Sequence, residues 1–190
     1  MSALNIVYFD LETKRSAAEV GGWHRADLMG MSLGVTYSTK DEAYHIYTED
    51  QAEDLINEMR QADLVVGFNH IGFDYQVLQP FTFWTIADVT KNLDICLDLG
   101  KKLGHRVNLD SFARPTLGGL SKTAKGTDAL RWWRDYEKSG NVQAMMDIAK
   151  YCCYDVKVTM ELYLFGAREG YVLYENKQGE LNKVEVEWAL

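Results

Sequence analysis

The order of the predicted elements in the first 70 residues is the feature that most constrains the fold. Segments rich in β-branched and aromatic residues predict four strands, and one amphipathic helix separates the third from the fourth. The strands are predicted over residues 3–9, 30–40, 42–48 and 63–68, and the helix over residues 50–62 with Asp50 as its N-cap. A strand hairpin followed by a strand that is reached through a helix predicts an α/β domain with a mixed sheet.

The rest of the chain is predicted to be mainly helical, with a β-hairpin at its end. The residue pattern predicts helices over residues 72–81, 93–104, 109–119, 127–140 and 141–170. Residues 171–188 alternate on both sides of NKQG and predict the terminal hairpin. A chain of 190 residues with 47% hydrophobic residues can bury a substantial core, so we expect one domain over residues 1–190.

No targeting or membrane-spanning segment is predicted. The apolar run at the N-terminus is short and meets Asp10 at once, unlike a secretory signal. No apolar stretch reaches the roughly 18 residues that a membrane helix needs. The cysteines, Cys96, Cys152 and Cys153, are odd in number and lack a C-x-x-C spacing, which is typical of reduced thiols. We therefore expect a cytoplasmic protein without a membrane partner.

Two carboxylates, Asp10 and Glu12, come at the end of the first predicted strand. Residues i and i+2 of a strand point to the same face about 6–7 Å apart, where two carboxylates repel each other. A strand that has already emerged into solvent would explain this pair taken alone.

Two further acidic positions occur later in the chain. Asp74 follows the fourth predicted strand, and Tyr151 and Asp155 share one face of the last long helix. An N-cap would explain the first, and a hydrogen bond between tyrosine and aspartate or a position at the edge of the surface would explain the second. Because they occur together with the strand-end pair, all four carboxylates are predicted to converge on one site. Oxygen ligands at that density select hard divalent cations, Mg²⁺ or Mn²⁺.

The predicted site suits chemistry at phosphorus. Two divalent cations about 4 Å apart can activate a water and stabilise the leaving oxygen of an in-line displacement. The net charge of −8 argues against a protein that coats nucleic acid. It does not argue against an enzyme whose carboxylates are neutralised by the cations that they bind.

The segments FDLET, GFNHIGFD and YCCYD resemble the three exonuclease motifs of the DEDD superfamily, which has the ribonuclease H-like fold. The tyrosine four residues before the last aspartate is typical of the DEDDy branch. The motifs are similar in style to the 3′–5′ exonuclease domain of family-B DNA polymerases, and the middle of the chain is similar to helicase-associated ribonuclease H-like domains. The resemblance covers about residues 5–165. It implies a mixed five-stranded sheet flanked by helices, followed here by the C-terminal hairpin.

The resemblance also implies roles for the acidic residues and the tyrosine. Asp10 would bridge both metals, and Glu12 and Asp155 would complete the shell of the first. Asp74 would hold the second metal through water. The hydroxyl of Tyr151 would orient the attacking water.

Four further residues match positions beside the substrate in this family. Asn69 and Phe73 would lie beside the 3′-terminal nucleotides, and Leu11 and Thr13 would touch the terminal base or sugar. The polymerase motif usually has glycine where this chain has His70. That departure leaves the approach of the backbone to the substrate open at residue 70.

Basic residues with interleaved tryptophans could lead a polyanion to the metals, or could be ordinary solvated faces with one core tryptophan. They form two clusters, Lys101, Lys102, His105 and Arg106, then Lys122, Lys125, Arg131 and Arg134 with Trp132 and Trp133. Lys122 is the preferred phosphate contact, on position alone. Trp23 could line the mouth of the site or seal the core.

The expected function is a metal-dependent 3′–5′ exonuclease that uses two Mg²⁺ or Mn²⁺ ions. Its expected substrate is a nucleic acid with a free, single-stranded 3′ end, and a helicase or polymerase is a possible partner. Two alternatives remain open from the sequence. One is a catalytically silent nucleic-acid-binding module of the same fold, and the other is a phosphodiesterase acting on short oligonucleotides.

Overall fold

The computed structural model describes residues 4–120, 126–176 and 178–189. A five-stranded sheet forms its centre, and a two-stranded sheet lies near the C-terminus. The central strands are β1 (Ile6–Thr13), β2 (Met31–Ser38), β3 (Ala43–Tyr47), β4 (Leu64–Gly67) and β5 (Asn92–Asp94), in the order β3-β2-β1-β4-β5. Because β1 pairs antiparallel with β2 and parallel with β4, the predicted mixed five-stranded sheet is confirmed.

Helices flank this sheet on both faces. Within the described residues they are α1 (Ala17–Val20), α2 (Ala52–Gln61), α3 (Asp74–Leu78), α4 (Ile86–Val89), α5 (Ile95–Leu103), α6 (Asp110–Thr116), α7 (Gly126–Ser139) and α8 (Val142–Glu169). Short 3₁₀ segments cover Trp23–Leu28, Glu49–Gln51 and Gln79–Phe81. None of the described helices combines the length and apolar composition needed to cross a membrane.

The central strand β1 is buried on both faces. Tyr8 packs into the core beneath α8, whereas Phe9 packs into a second core with α2 on the opposite face. Since alternate residues of a strand point to opposite faces, Asp10 and Glu12 continue the row of Tyr8. Both carboxylates therefore lie on the side of the sheet that α8 covers.

The start of α2 differs from the prediction. Asp50 is not the N-cap, because Glu49–Gln51 form a 3₁₀ segment and α2 begins at Ala52. Thr48 caps that segment, and its backbone N–H donates to Oε1 of Gln51 at 3.2 Å. The threonine and glutamine form a capping box, which satisfies the free backbone donors better than Asp50 would.

Another boundary and several short elements were not predicted. The expected helix over residues 93–104 begins at Ile95, because Asn92–Asp94 pair with β4 as the fifth strand. Three residues are too few to show an alternating pattern. The short helix α1 and the 3₁₀ segment that joins β1 to β2 were also missed.

The predicted C-terminal hairpin is confirmed as β6 (Tyr171–Glu175) and β7 (Leu181–Glu185). It is held against α6, where the hydroxyl of Thr116 donates to the carbonyl of Leu173 at 3.1 Å. Beyond the hairpin, the ring of Trp188 stacks on Tyr163 at 6.1 Å, and its Nε1 donates to Asp98 at 2.9 Å. The terminal segment is thus anchored on α8 and α5.

Gly166→Ala is expected to loosen this anchor. A Cβ at Gly166 would lie 2.5 Å from the ring of Trp188, which its stacking and hydrogen bond hold in place. Overpacking of this kind costs about 1–3 kcal/mol, partly offset by the better helix propensity of alanine. Thermal unfolding should show a lower midpoint, with altered tryptophan fluorescence. Gly126→Ala is the control, since nothing lies within 4 Å of a Cβ there. An unchanged midpoint for Gly166→Ala would contradict the packing described.

Candidate active site

Three of the predicted metal ligands meet between β1 and α8. One carboxylate oxygen each of Asp10, Glu12 and Asp155 lies within 4.8 Å of the other two. Asp155 is 2% exposed, because it lies midway along α8 on the face that packs against the sheet. Carboxylates this close repel one another where little water screens them. A hard divalent cation would relieve that repulsion, and oxygen ligands suit it.

Asp74 lies beside this group at the start of α3. β1 extends beyond the end of β4, so the N–H of Leu11 is available to donate to the Asp74 carboxylate. Asp74 is 3% exposed. Burial, followed by the negative charge of Asp10, raises the pKa of Asp74 well above its usual range. Asp74 is thus close enough to Asp10 to feel its charge.

A buried thiol completes the surroundings of Asp10. The Sγ of Cys152 lies 3.4 Å from the backbone oxygen of Asp10 and 3.7 Å from its Oδ2. Burial raises the pKa of this thiol well above its usual range, and the neighbouring carboxylates, first that of Asp10, act in the same direction. The thiol therefore stays protonated and can donate to Asp10. Sequence reasoning gave Cys152 no role, although it lies three residues before Asp155, on the same side of α8.

Tyr151 is a buried residue of α8, with 4% of its surface exposed. Its ring makes an edge-on contact with Trp132 of α7, with centroids 6.4 Å apart. The adjacent Trp133 lies instead under the ammonium group of Lys14, which is 4.8 Å from the ring centroid and also pairs with Glu49. The two neighbouring tryptophans therefore contact different elements, as expected for adjacent residues of a helix.

The loop between β4 and α3 is tied to β5 by one carboxylate. Asp94 accepts hydrogen bonds from the backbone N–H groups of Asn69 at 2.8 Å, Ile71 at 3.0 Å and Leu97 at 3.2 Å. It thus caps α5 and also holds the loop that leads to Asp74. Asn69 has a φ of 68°, which non-glycine residues rarely adopt. Asp94 was missed because the prediction placed it inside a helix.

The ring of His70 contacts Tyr75 and Asp94 rather than the carboxylates of the candidate site. Its ring is fully buried, lies 5.0 Å from the ring of Tyr75, and has Nδ1 3.7 Å from Oδ2 of Asp94. Burial lowers the pKa of His70, although the charge of Asp94 opposes this effect. Gly67 makes the position possible, since a Cβ there would lie 2.7 Å from Nδ1 of His70. The buried ring of His70 therefore supports the conformation of the loop between β4 and α3.

Two adjoining cavities lead away from the carboxylates. The first, of about 290 Å³, is lined by residues that include Asp10, Asp155, Asn69 and Arg106. The second, of about 570 Å³, shares Asn69 and Arg106 and extends to Trp23, Phe73, Lys101 and His105. Of the predicted substrate contacts, Asn69 therefore lines both cavities and Phe73 lines the second.

The other predicted substrate contacts have different surroundings. Leu11 is 4% exposed and belongs to the core beside α2, and the hydroxyl of Thr13 donates to the carbonyl of Arg15 at 3.1 Å. Their roles stay predictions. Lys122 lies outside the described residues, as does Lys125. In the same basic cluster, Arg131 pairs with Asp128 and Arg134 with Glu19.

A second group with ligand spacing lies on the other side of the sheet. Asp41, His45 and Glu58 have ligand atoms within 4.8 Å of one another. Glu58, however, already accepts hydrogen bonds from the hydroxyls of Thr36 at 2.6 Å and Tyr47 at 2.9 Å, and lies 2.7 Å from Nδ1 of His45. The group serves to join α2 to β2 and β3.

Comparison with known proteins gives one family and a common fold. A family model described as RNase_H superfamily matches residues 7–165, which include all four carboxylates. No curated protein matches the sequence. Among solved structures, the chain is similar to the family B DNA polymerase from the hyperthermophilic archaeon Pyrobaculum calidifontis, with a TM-score of 0.56 and 14% identity. The match covers 89% of this chain and 26% of the polymerase chain, so this chain spans about a quarter of that protein.

Proposed function

Because the chain belongs to the RNase_H superfamily, whose fold supports a nuclease-type activity, we propose that it is a metal-dependent 3′–5′ exonuclease. It would hydrolyse phosphodiester bonds at the 3′ ends of nucleic acids. The observation that carries the proposal is the approach of Asp10, Glu12 and Asp155 to within 4.8 Å. Asp74 adds a fourth carboxylate beside Asp10.

The donor set fits two divalent cations, Mg²⁺ or Mn²⁺. It consists of carboxylate oxygens, which hard cations prefer, and it is partly buried. Asp10, Glu12 and Asp155 would hold these ions together with Asp74. When bound, such ions supply an activated water and neutralise charge on the phosphate. The protein supplies a rigid frame, since the ligands lie on β1, α3 and α8.

Tyr151 would orient the attacking water, and Cys152 would hold Asp10. Asn69 and Phe73 would contact the 3′-terminal nucleotides, with Leu11 and Thr13 beside them. We further propose that residues 1–190 form one domain that acts in the cytoplasm alongside a helicase or polymerase.

A panel of metals and substrates tests the function. Single- and double-stranded DNA and RNA carrying a 5′ label would be incubated with Mg²⁺, Mn²⁺ or EDTA. We expect a ladder of products shortened stepwise from the 3′ end, only with Mg²⁺ or Mn²⁺ and fastest on single strands. Binding without cleavage under any condition would favour the silent module. Faster hydrolysis of dinucleotides than of 20-mers would favour the phosphodiesterase.

Tyr151→Phe is expected to lower kcat by about 10²-fold while KM changes little. The variant removes only the hydroxyl that would orient the water, and positioned groups that assist proton transfer contribute about 10²–10⁴-fold. The ring contact with Trp132 is kept, so the fold should be unaffected. Steady-state kinetics on a labelled 20-mer would measure the effect.

Tyr154→Phe is the matched control, because it removes a hydroxyl from the same helix at a half-buried position outside the carboxylate site. Wild-type kcat for Tyr151→Phe would remove the tyrosine from the mechanism.

A further inference from the structure

The two cavities beside the carboxylates share Asn69 and Arg106 and are together called here the Trp23 groove, which is lined by Trp23, Asn69, Phe73, Lys101, His105 and Arg106. Its inner end opens at Asp10 and Asp155. Only these two acidic residues line it among the described residues, and two basic residues, Lys101 and Arg106, line it as well. Lys101 and Arg106 therefore place positive charge along the groove in a chain whose net charge is −8. Local positive potential of this kind attracts phosphate groups.

Arg106 lies where the two cavities join. It lines both of them, together with Asn69, and is exposed. Across residues 4–120, 126–176 and 178–189, no ion pair engages its guanidinium, unlike those of Arg131 and Arg134. A guanidinium can bind a phosphate through two parallel hydrogen bonds. Arg106 is therefore available to bind a phosphate in the cavity that also contains Asp10 and Asp155.

Trp23 forms the outer rim of the groove. It is 69% exposed, and its ring contacts Phe73 edge-on with centroids 5.6 Å apart. The preceding Gly21 and Gly22 have φ values of 91° and 134°, which side chains rarely adopt, so the turn that presents the indole depends on glycine. An exposed aromatic face beside a basic groove is the arrangement by which proteins stack unpaired bases.

We propose that the Trp23 groove binds nucleotides that lie upstream of the last two at the 3′ end of a single-stranded substrate. Arg106 holds a phosphate of that segment, and Trp23 stacks on one of its bases. The proposal rests on the proposed exonuclease function, which it extends by a strand path and a minimum length. A paired base cannot stack on Trp23, so the groove selects single strands, and a dinucleotide is too short to use it.

The test compares Trp23→Ala and Arg106→Ala with wild type on a dinucleotide and on a single-stranded 20-mer. Stacking contributes about 1–3 kcal/mol per base, so KM for the 20-mer should rise about 5- to 150-fold in Trp23→Ala. KM for the dinucleotide should not change, and neither should kcat at saturation. Both side chains are exposed, and thermal unfolding would verify that the variants are folded.

Arg60→Ala and Trp84→Ala are matched controls. The guanidinium of Arg60 lies 5.4 Å from the ring centroid of Trp84, so the pair has the same chemistry in a separate cavity. Neither control should alter KM for either substrate.

Equilibrium binding separates the two roles. Fluorescence anisotropy of a labelled single-stranded thymidine 10-mer would be measured in EDTA across a salt series. Loss of one phosphate contact should reduce the slope of log Kd against log salt by about 0.7 in Arg106→Ala, with no change in slope for Trp23→Ala.

The outcomes distinguish the two hypotheses. No hydrolysis by wild type under any condition would overturn the exonuclease, and weaker 10-mer binding by both groove variants would still support the strand path. An active enzyme whose KM for the 20-mer and Kd for the 10-mer are unchanged in both variants would overturn the groove. Equal effects on the dinucleotide and the 20-mer would also overturn it.

Discussion

Asp10→Asn is expected to abolish Mg²⁺- or Mn²⁺-dependent hydrolysis, by at least about 10³-fold in kcat. The substitution keeps the size of the side chain but removes a charge that lies close to the other carboxylates. Glu12 and Asp155 have ligand oxygens within 4.8 Å of Asp10, and the charge of Asp10 raises the pKa of Asp74. The loss of this charge therefore weakens a ligand whose charge acts on Asp74 as well as on Glu12 and Asp155. The rate on a labelled single strand would be measured.

The unfolding temperature of the same variant, measured with and without Mn²⁺, should show that it folds but no longer binds the metal. Ions that bind only the folded protein stabilise it by about 2.7 kcal/mol at 100 times their Kd, so Mn²⁺ should raise the unfolding temperature of the wild type. Asp10→Asn should show little response to Mn²⁺ and should unfold no earlier than wild type without metal, because a repulsive charge has been removed.

Asp54→Asn is the control, since it neutralises an exposed aspartate on α2. Full activity of Asp10→Asn, or a rise in its unfolding temperature equal to that of the wild type, would contradict the assignment of the metal site.

Asp94→Ala is expected to have the second-largest effect, although Asp94 is not a predicted metal ligand. Its carboxylate accepts three backbone hydrogen bonds, two from the loop at Asn69 and Ile71 and one from Leu97 at the start of α5. Loss of a helix cap and of hydrogen bonds to a charged group costs about 2–4 kcal/mol. For a chain of this length that corresponds to a fall of roughly 5–15 °C in the unfolding midpoint.

Activity should fall together with stability in Asp94→Ala. The loop carries Asn69 with a left-handed backbone and leads into Asp74, so its release would displace one carboxylate. Small displacements of this kind cost about 10²-fold in rate. Asp94→Asn keeps one acceptor oxygen and should be intermediate in both measurements. Asp54→Ala should change neither, and wild-type stability of Asp94→Ala would show that the three hydrogen bonds contribute nothing.

Much of the sheet could be predicted because its strands have strong local signals. β1, β2 and β4 combine β-branched and aromatic residues, and the terminal hairpin alternates clearly. β5 could not be placed, because its three residues form a strand only through pairing with β4. Asp50 was wrongly taken as the N-cap, because Thr48 and Gln51 on either side of it form a capping box.

The candidate site, like the sheet, could be predicted from the sequence only in part. The spacing of Asp10 and Glu12 predicts one shared face, but not which face, because β1 is buried on both sides by different helices. Asp155 and Tyr151 were predicted to share a helix face, and α8 brings the aspartate to the strand pair. Cys152 offered no sequence signal for its contact with Asp10, since that contact joins residues 142 positions apart.

The sequence by itself determined the alternation of strands and helices and the set of carboxylates, because periodicity and side-chain chemistry are local properties. Only the tertiary structure decided that α8 covers the Asp10 side of the sheet and that Asp94 holds the loop before Asp74. It alone decided that Trp23 and Arg106 line the groove leading to the carboxylates. These arrangements depend on packing between segments distant in the chain, and the period of any one segment carries no information about its neighbours in space.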